Sequence, residues 1–237
     1  MSIAIDVVVI LANGKGSRMG KSRAKTLTPV AGQASILQLL LGEIAAAEAN
    51  TPVLLYVRED SAELQCIIAE SAVDVRLLVE EPSGYFRDLV RTKHHHGLGA
   101  FAVLDSDLVA EPGAISSFLD RSCAEDSWLT IGVTSVPERG SGRPAWVELD
   151  PRGNLTSLTR HRVTSHRTVG AFRWGSQALS DIDEPGPNAS VMAYIADHLK
   201  HSAMVKSFAF DTAINVNTEN DAAFAREFRA ATPRSSQ

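Results

Sequence analysis

Cysteine is scarce in this chain, and long apolar runs are missing. The two cysteines among 237 residues, Cys66 and Cys123, lie far apart, so the sequence carries neither a disulfide framework nor a zinc-ligand spacing. This usage is typical of a reducing cytoplasm. No stretch is apolar enough to span a bilayer, and residues 1–6 lack the basic residues of a secretory signal. We therefore expect a cytoplasmic protein that has no membrane segment.

An excess of basic residues is also absent. Lys and Arg number 23 against 28 Asp and Glu, for a formal net charge of −5. A general nucleic-acid-binding protein needs a basic surface, so this balance argues against such a partner. Apolar residues make up 44% and charged residues 22% of the chain, which is ordinary for a globular protein. The length allows one large α/β domain with a sizeable core.

A glycine-rich, cationic loop follows the first apolar run. Residues 7–10 predict a buried strand. The segment after them reads Leu11, Ala12, Asn13, Gly14, Lys15, Gly16, Ser17, Arg18, Met19, Gly20. Glycines let a backbone approach a ligand and turn its N–H groups toward anionic oxygens. An arginine can hold a phosphate with two hydrogen bonds. The pattern predicts a site for a nucleoside triphosphate or another polyphosphate.

The two best-known phosphate loops do not fit this segment. Gly20-Lys21-Ser22 would complete a P-loop only with glycine at position 15, where Lys15 stands. The glycines at positions 14, 16 and 20 also miss the spacing of the dinucleotide-binding fingerprint. The loop therefore belongs to another type.

Two spaced blocks together resemble that other type. The stretch Leu-Ala-x-Gly-x-Gly-Ser-Arg-Met is followed by Lys25-x-Leu-x-Pro-Val-x-Gly. Over about residues 8–41 the chain resembles the nucleotidyltransferases, which comprise sugar-phosphate nucleotidylyltransferases and related cytidylyltransferases with a glycosyltransferase-A-like fold. The resemblance implies Mg²⁺ as cofactor, catalytic roles for Arg18 and Lys25, and nucleotide contacts along residues 11–17.

The order of predicted elements indicates an α/β fold. In the first half, strands and helices alternate, which predicts a three-layer α/β/α sandwich around a mostly parallel, Rossmann-like sheet. The predicted strands are 3–11, 53–57, 75–79, 101–104 and 129–136. The predicted helices are 36–49, one capped by Ser61, 85–94 and 113–121. The second half predicts a hairpin (146–149 and 155–158), strands 168–172 and 205–210, and helices 176–182, 190–199 and 219–229.

We expect one nucleotidyltransferase domain over residues 1–231. Residues 1–136 would form its nucleotide-binding half and residues 137–231 its acceptor-binding half. The polar end, 232–237, is expected to fray.

An acidic pair, Asp105-Ser106-Asp107, follows a predicted apolar strand. Ligands of open α/β sheets bind beyond the carboxyl ends of the strands. In an extended segment the two carboxylates would share one side, where they could bind Mg²⁺. A solvated turn or a helix cap is the plainer alternative. By resemblance, Asp107 matches the family's metal-binding aspartate, with Ser106 in place of a glycine, and Asp105 is an accessory residue at the nucleotide.

A late motif around Asn217-Thr218 resembles the one that brings the family's second metal ligand. Asn217 matches that ligand, and Thr218 would begin a helix as its N-cap. An asparagine oxygen can bind Mg²⁺ but carries no charge. Asn215 and Asp211 are alternative ligands, and simple helix capping is the alternative function.

The sequence indicates less clearly which residues would contact the nucleotide base and the acceptor. By resemblance, Ser83 and Gly84 would line the base pocket, although a plain turn is equally compatible, and the base stays undetermined. Arg160 and Arg162 would replace the lysine that holds the acceptor phosphate in sugar-activating relatives, unless they form only a solvated basic loop. Gly170 falls in the matching acceptor-site strand. His94–His96 predict a helix end rather than a metal site.

The function predicted from these features is the transfer of an NMP unit from an NTP to a phosphorylated acceptor, with a sugar 1-phosphate favoured. A CTP-dependent cytidylyltransferase acting on phosphocholine or a phosphonate is one alternative. A nucleotide-binding homologue without catalysis is another. A glycosyltransferase of similar fold is disfavoured, because it has no triphosphate to hold. The expected partners are an NTP and a small acceptor, without nucleic acid or membrane, and a homodimer is left open.

Overall fold

A computed structural model describes residues 5–14, 24–47, 51–120, 127–136, 144–161, 164–186, 189–201 and 203–232. Strands and helices alternate in its first half. The elements are β1 (Val7–Ala12), β2 (Pro29–Ala31), β3 (Ala34–Ser35), α1 (Ile36–Ala47), β4 (Val53–Val57), α2 (Ala62–Ala69), β5 (Val75–Val79), α3 (Tyr85–His96), β6 (Phe101–Asp105), β7 (Leu108–Ala110) and α4 (Ala114–Asp120). A short 3-10 helix, Lys25–Leu27, precedes β2.

The second half is richer in strands. Its elements are β8 (Leu129–Thr134), β9 (Trp146–Leu149), β10 (Leu155–Thr159), β11 (His166–Trp174), α5 (Val191–Lys200), β12 (Val205–Ala209), β13 (Ala213–Asn215) and α6 (Glu219–Ala231). Within the described ranges, no helix is long and apolar enough to cross a membrane.

A nine-stranded sheet forms the centre of the molecule. Seven of its strands run in the order β10-β9-β11-β6-β1-β4-β5, and β8 joins β11 to β12. The strands β6, β1, β4 and β5 are parallel, whereas β11 is antiparallel to each of its neighbours. The predicted α/β class with a mostly parallel, Rossmann-like sheet is confirmed. The sheet takes strands from both predicted halves, and the division of roles between those halves stays a prediction.

Strand β1 lies in the middle of the sheet and supplies side chains to both faces. Val8 and Ile10 belong to a core cluster that includes α1, whereas Val7, Val9 and Leu11 belong to a second cluster that includes α3. Alternate side chains of a strand point to opposite faces, so one apolar run serves two helical layers. This burial on both faces holds the carboxyl end of β1 in a fixed place.

Three helix ends follow the sequence closely. The Ser61 hydroxyl accepts a hydrogen bond from the Leu64 N–H at 3.2 Å and caps α2. Thr218 and Asp221 form a capping box at the start of α6. Gly97 ends α3 with a φ of 58°, a left-handed conformation that glycine adopts without strain.

The predicted helix over residues 176–182 is wrong, because this segment forms turns. The ammonium of Lys93, which is buried in α3, donates hydrogen bonds to the carbonyls of Ser176 (2.8 Å) and Ala178. Leu179 adopts a positive φ of 63°. A cation from a distant helix therefore binds carbonyls that a local helix would have used. Burial lowers the pKa of Lys93, and its oxygen partners compensate for that burial.

Candidate active site

Several chain segments meet at the carboxyl edge of the parallel strands. In the pairing of β1 with β6, Leu11 lies opposite Asp105, so the two strands end side by side. Asn13 follows β1, Asp107 follows β6, and Ser83 follows β5. This edge is where open α/β sheets bind their ligands.

A lysine and two oxygen-bearing side chains converge at this edge. Lys25 Nζ forms an ion pair with Asp107 Oδ2 and donates a hydrogen bond to Asn217 Oδ1 at 2.8 Å. Asn215 Nδ2 donates to the other oxygen, Asp107 Oδ1, at 3.0 Å. We call Lys25, Asp107, Asn215 and Asn217 the cation cluster. The structure thus brings together residues that stand far apart in the sequence.

A two-stranded ribbon holds Asp107 next to Asn217. Strands β7 and β13 pair antiparallel, and Leu108 lies opposite Asn215. The Val216 N–H donates to the Asp107 carbonyl at 2.8 Å, which extends the ladder by one bond. Because the ribbon fixes the backbone near both residues, the side chains of Asp107 and Asn217 reach the same point. Neither of these three-residue strands was predicted.

The capping box of α6 orders the backbone at Asn217. The carboxylate of Asp221, 5% exposed, accepts hydrogen bonds from the backbone N–H groups of Asn217 (3.0 Å) and Thr218 (2.8 Å). The Thr218 hydroxyl in turn accepts a bond from the Asp221 N–H at 3.2 Å. The predicted cap at Thr218 is confirmed. Asp221 was missed, although an acid three residues after a capping threonine is a recognised sequence signal.

The donor set of the cation cluster fits Mg²⁺. A carboxylate oxygen of Asp107 and the amide oxygen of Asn217 already accept from one positively charged nitrogen. Mg²⁺ is commonly held by one or two protein oxygens together with substrate phosphates. Within the described ranges, no cluster of three or more His, Cys, Asp or Glu residues could hold a metal by itself. The arrangement therefore suits a cation whose other ligands come with the substrate.

Asp105 faces a different partner from Asp107. The Tyr85 hydroxyl donates to Asp105 Oδ1 at 2.9 Å. Burial raises the pKa of Asp105 to about 7, and the charge of Asp107 adds to this rise, whereas the Tyr85 bond and Lys25 oppose it. Strand β6 ends at Asp105, and residues 106 and 107 form a turn. The predicted extended Asp-x-Asp segment is therefore wrong, because the chain turns between the two acids to begin β7.

Gly170 lies directly against Asp105. A Cβ atom added at position 170 would overlap with the Asp105 side chain. The glycine in β11 therefore makes space for this carboxyl group. A role for Gly170 at the acceptor stays a prediction.

A second polar cluster holds the segment after β5. The Asp88 carboxylate in α3 accepts from the Ser83 N–H (3.1 Å), the Ser83 hydroxyl (2.5 Å) and Asn13 Nδ2 (3.4 Å). Asp88 and Asn13 are 6% and 4% exposed. We call Asn13, Ser83 and Asp88 the Asp88 cluster. It joins the start of the glycine-rich loop to the predicted base segment. Asp88 was missed, and its only signal was an acid in the first turn of an amphipathic helix.

The remaining predicted residues are placed as follows. Gly84 is the N-cap of α3 with a φ of 124°, which a side chain rarely permits. Arg160 is exposed directly after β10. Asp211 is exposed and precedes β13, at the end opposite Asn217. The predictions for Lys15, Gly16, Ser17, Arg18 and Arg162 fall outside the described residues.

Known structures share this fold. No family model matches the sequence, and no curated protein matches it. A protein from Bacillus anthracis described as a glucose-1-phosphate thymidylyltransferase superposes with a TM-score of 0.79 at 13% identity over 97% of each chain. The inositol-1-phosphate CTP transferase of T. maritima gives 0.77 and 13% over 100% of each chain. HddC from Yersinia pseudotuberculosis gives 0.71 and 19%, over 94% of this chain and 99% of that chain. The fold is thus one that nucleotidyltransferases adopt, as the two sequence blocks predicted.

Proposed function

We propose that the protein transfers an NMP unit from an NTP to a small phosphorylated acceptor, with a sugar 1-phosphate as the favoured acceptor. The observation that carries this proposal is the convergence of Lys25, Asp107 and Asn217 near the carboxyl end of β1, the strand that precedes the glycine-rich segment. Such a site combines the positive charge of a lysine side chain with oxygen ligands for a metal. Polyphosphate chemistry requires both.

In the proposed reaction, an oxygen of the acceptor phosphate attacks the α-phosphorus of the NTP. A new P–O bond forms, the bond between the α-phosphorus and the bridging oxygen breaks, and pyrophosphate leaves with the electron pair. The attacking oxygen is already anionic, so no strong general base is needed. Catalysis then depends on positioning and on neutralising charge.

Lys25 is proposed to neutralise the α-phosphate and the incoming acceptor. Its side chain is 18% exposed, and a charge acts more strongly where water is partly excluded. Arg18 and the backbone of residues 14–17 are proposed to hold the β- and γ-phosphates. Arg160, Arg162 and Gly170 are proposed to face the acceptor.

Asp107 and Asn217 would hold Mg²⁺, which, when bound, would neutralise phosphate charge and help to orient the triphosphate. Lys25 would then release these two oxygens and turn its ammonium to the phosphates. Asn215 would keep the Asp107 side chain in place, and Asp221 would keep the backbone of Asn217 in place.

A CTP-dependent cytidylyltransferase is the second candidate. It is favoured by the match in full length to a CTP transferase that acts on inositol 1-phosphate, a polyol phosphate rather than a sugar 1-phosphate. The neutral ligand Asn217 leaves a third candidate, a homologue that binds nucleotide without transferring it.

The test is pyrophosphate release from CTP, UTP, dTTP, GTP or ATP, each with a sugar 1-phosphate, inositol 1-phosphate, phosphocholine or a phosphonate. We expect release with one nucleotide and one acceptor class, only when Mg²⁺ is present. Asp107→Asn should abolish it, whereas Asp197→Asn, at an exposed carboxylate of α5, should not. Consumption of a nucleotide-sugar instead of an NTP, or nucleotide binding without release for every pair, would overturn the proposal.

A further inference from the structure

The edge strand β5 offers an open row of backbone groups. Within the described ranges, β4 alone pairs with it. Edge strands of soluble proteins are usually protected by lysine, proline or a bulge. The other outer strands follow this rule, because β10 has a register shift between Leu155 and Ser157, and β12 carries Lys206. Strand β5, with the sequence VRLLV, has no lysine, proline or bulge, and Arg76 is its one charged residue.

The pairing with β4 determines which backbone groups of β5 point outward. The Val53 N–H donates to the Asp74 carbonyl, and the Glu80 N–H donates to the Val57 carbonyl, both at 2.8 Å. In a parallel ladder, alternate residues bond to the same neighbour. Residues 74, 76, 78 and 80 therefore use their backbone toward β4. Leu77 and Val79 turn theirs toward the open edge.

The side chains along this edge are apolar or charged in a complementary way. Val79 is 54% exposed, the largest exposure among the large hydrophobic residues described. Arg76 and Glu80 lie on the opposite face of the strand, where they line a cavity with His95 and His96 of α3, and within the described ranges neither has an ion-pair partner. They stand about 13 Å apart along the strand, too far to pair with each other.

We infer that a second copy of this chain pairs with β5, antiparallel and around a two-fold axis at Leu78. In this register, Leu77 lies opposite Val79 of the second copy, and these two residues exchange both of their outward backbone hydrogen bonds. Arg76 lies opposite Glu80 of the second copy, at a position where facing side chains come closest. Two-fold symmetry repeats each contact, as in an isologous interface.

Charge selects this register over its neighbour. An axis at Leu77 would also place outward backbone groups opposite each other. However, it would set Arg76 against Leu78 of the second copy and leave both charges unpaired. The axis at Leu78 pairs Arg76 with Glu80 and brings Val79 into the interface, so it uses both features of the edge described above.

The test uses the full chain in sedimentation equilibrium, with charge reversal as the probe. The wild type is expected to dimerise. Arg76→Glu alone, or Glu80→Arg alone, should weaken the dimer about tenfold, because each places like charges opposite each other twice. The double exchange, R76E with E80R, should restore the dissociation constant of the wild type. Arg152→Glu, at an exposed arginine in the turn between β9 and β10, at the opposite edge of the sheet, is the matched control and should leave the constant unchanged.

Circular dichroism should show the same fold for all of these variants. A wild type that stays monomeric at high concentration would overturn the inference, and so would a dimer that is insensitive to both single reversals. Failure of the double exchange to restore the dimer would overturn the register. Pyrophosphate release is measured separately, so the outcome is independent of the proposed function.

Discussion

Two polar clusters lie at the same edge of the sheet, but different partners satisfy their carboxylates. In the cation cluster, Asp107 faces the ammonium of Lys25, and its side chain is 16% exposed. In the Asp88 cluster, a carboxylate that is 6% exposed accepts from a backbone N–H, a hydroxyl and an amide. A partly exposed carboxylate bound to a cation can exchange that cation for one brought by a ligand. A buried carboxylate bound to neutral donors cannot, so it serves as a fixed support.

Lys25→Ala should give the largest effect and should separate the two clusters most clearly. We expect the kcat/KM of pyrophosphate release to fall by about a hundred- to a thousandfold, the usual effect of losing one preorganised charge at a phosphate. The midpoint of thermal unfolding should change little, because the lost partner is partly exposed. Lys200→Ala, at an exposed lysine of α5, is the control. A large loss of stability without loss of activity would reverse the roles of the two clusters.

Asp88→Asn should act mainly on stability. The amide can accept only with its one oxygen, so at least one hydrogen bond to the former carboxylate is lost. We expect a loss of about 2 kcal/mol in the free energy of unfolding, in the range for bonds to a charged group. Asp60→Asn, where an exposed carboxylate accepts from Gln65 at 2.8 Å, should cost much less. Urea titration measures both, and equal costs would contradict the supporting role.

Gly170→Ala should show whether the position of Asp105 matters for stability and for NTP binding. The added methyl overlaps with the Asp105 side chain, and overpacking of this kind costs about 1–3 kcal/mol. We also expect weaker NTP binding by calorimetry, because Asp105 must move from Tyr85. Gly186→Ala adds a methyl in open space and is the control. Unchanged stability would mean that Asp105 moves freely.

Asn217→Asp should give the smallest effect and should sharpen the metal assignment. A second carboxylate adds charge to the donor set without removing the oxygen that accepts from Lys25. We expect the Mg²⁺ concentration for half-maximal rate to fall roughly tenfold. Gln177→Glu, at an exposed glutamine in the turns after β11, is the control for added charge. An unchanged Mg²⁺ requirement would argue against Asn217 as a ligand.

Local patterns predicted much of the fold. The bounds of β4 and β5 agree with their apolar runs to the residue, and the caps at Ser61 and Thr218 follow from hydroxyl side chains before an apolar periodic segment. The helix predicted at 176–182 failed because the bonds of Lys93 to this segment span more than 80 residues of sequence. Helix propensity depends on nearby residues only, so it cannot predict a contact of this kind.

In the candidate site, too, local patterns selected some residues and missed others. The second sequence block selected Lys25, an acid after an apolar strand selected Asp107, and the late motif selected Asn217, each with the help of the family resemblance. Their meeting at one point required the β7–β13 ribbon, whose three-residue strands are too short to show a period. Asp88 was not selected, because an acid in the first turn of a helix usually signals only a favourable interaction with the helix dipole.

The sequence by itself therefore determined most of the longer strands and helices, the helix caps at Ser61 and Thr218, and the residue types available for phosphate and metal chemistry, because these depend on neighbours a few positions apart. Tertiary structure alone decided which of those residues touch. In the folded chain, Asp107 contacts Lys25, Asp105 contacts Tyr85 and Asp88 contacts Ser83. Strand register and the crossing of distant segments set those distances.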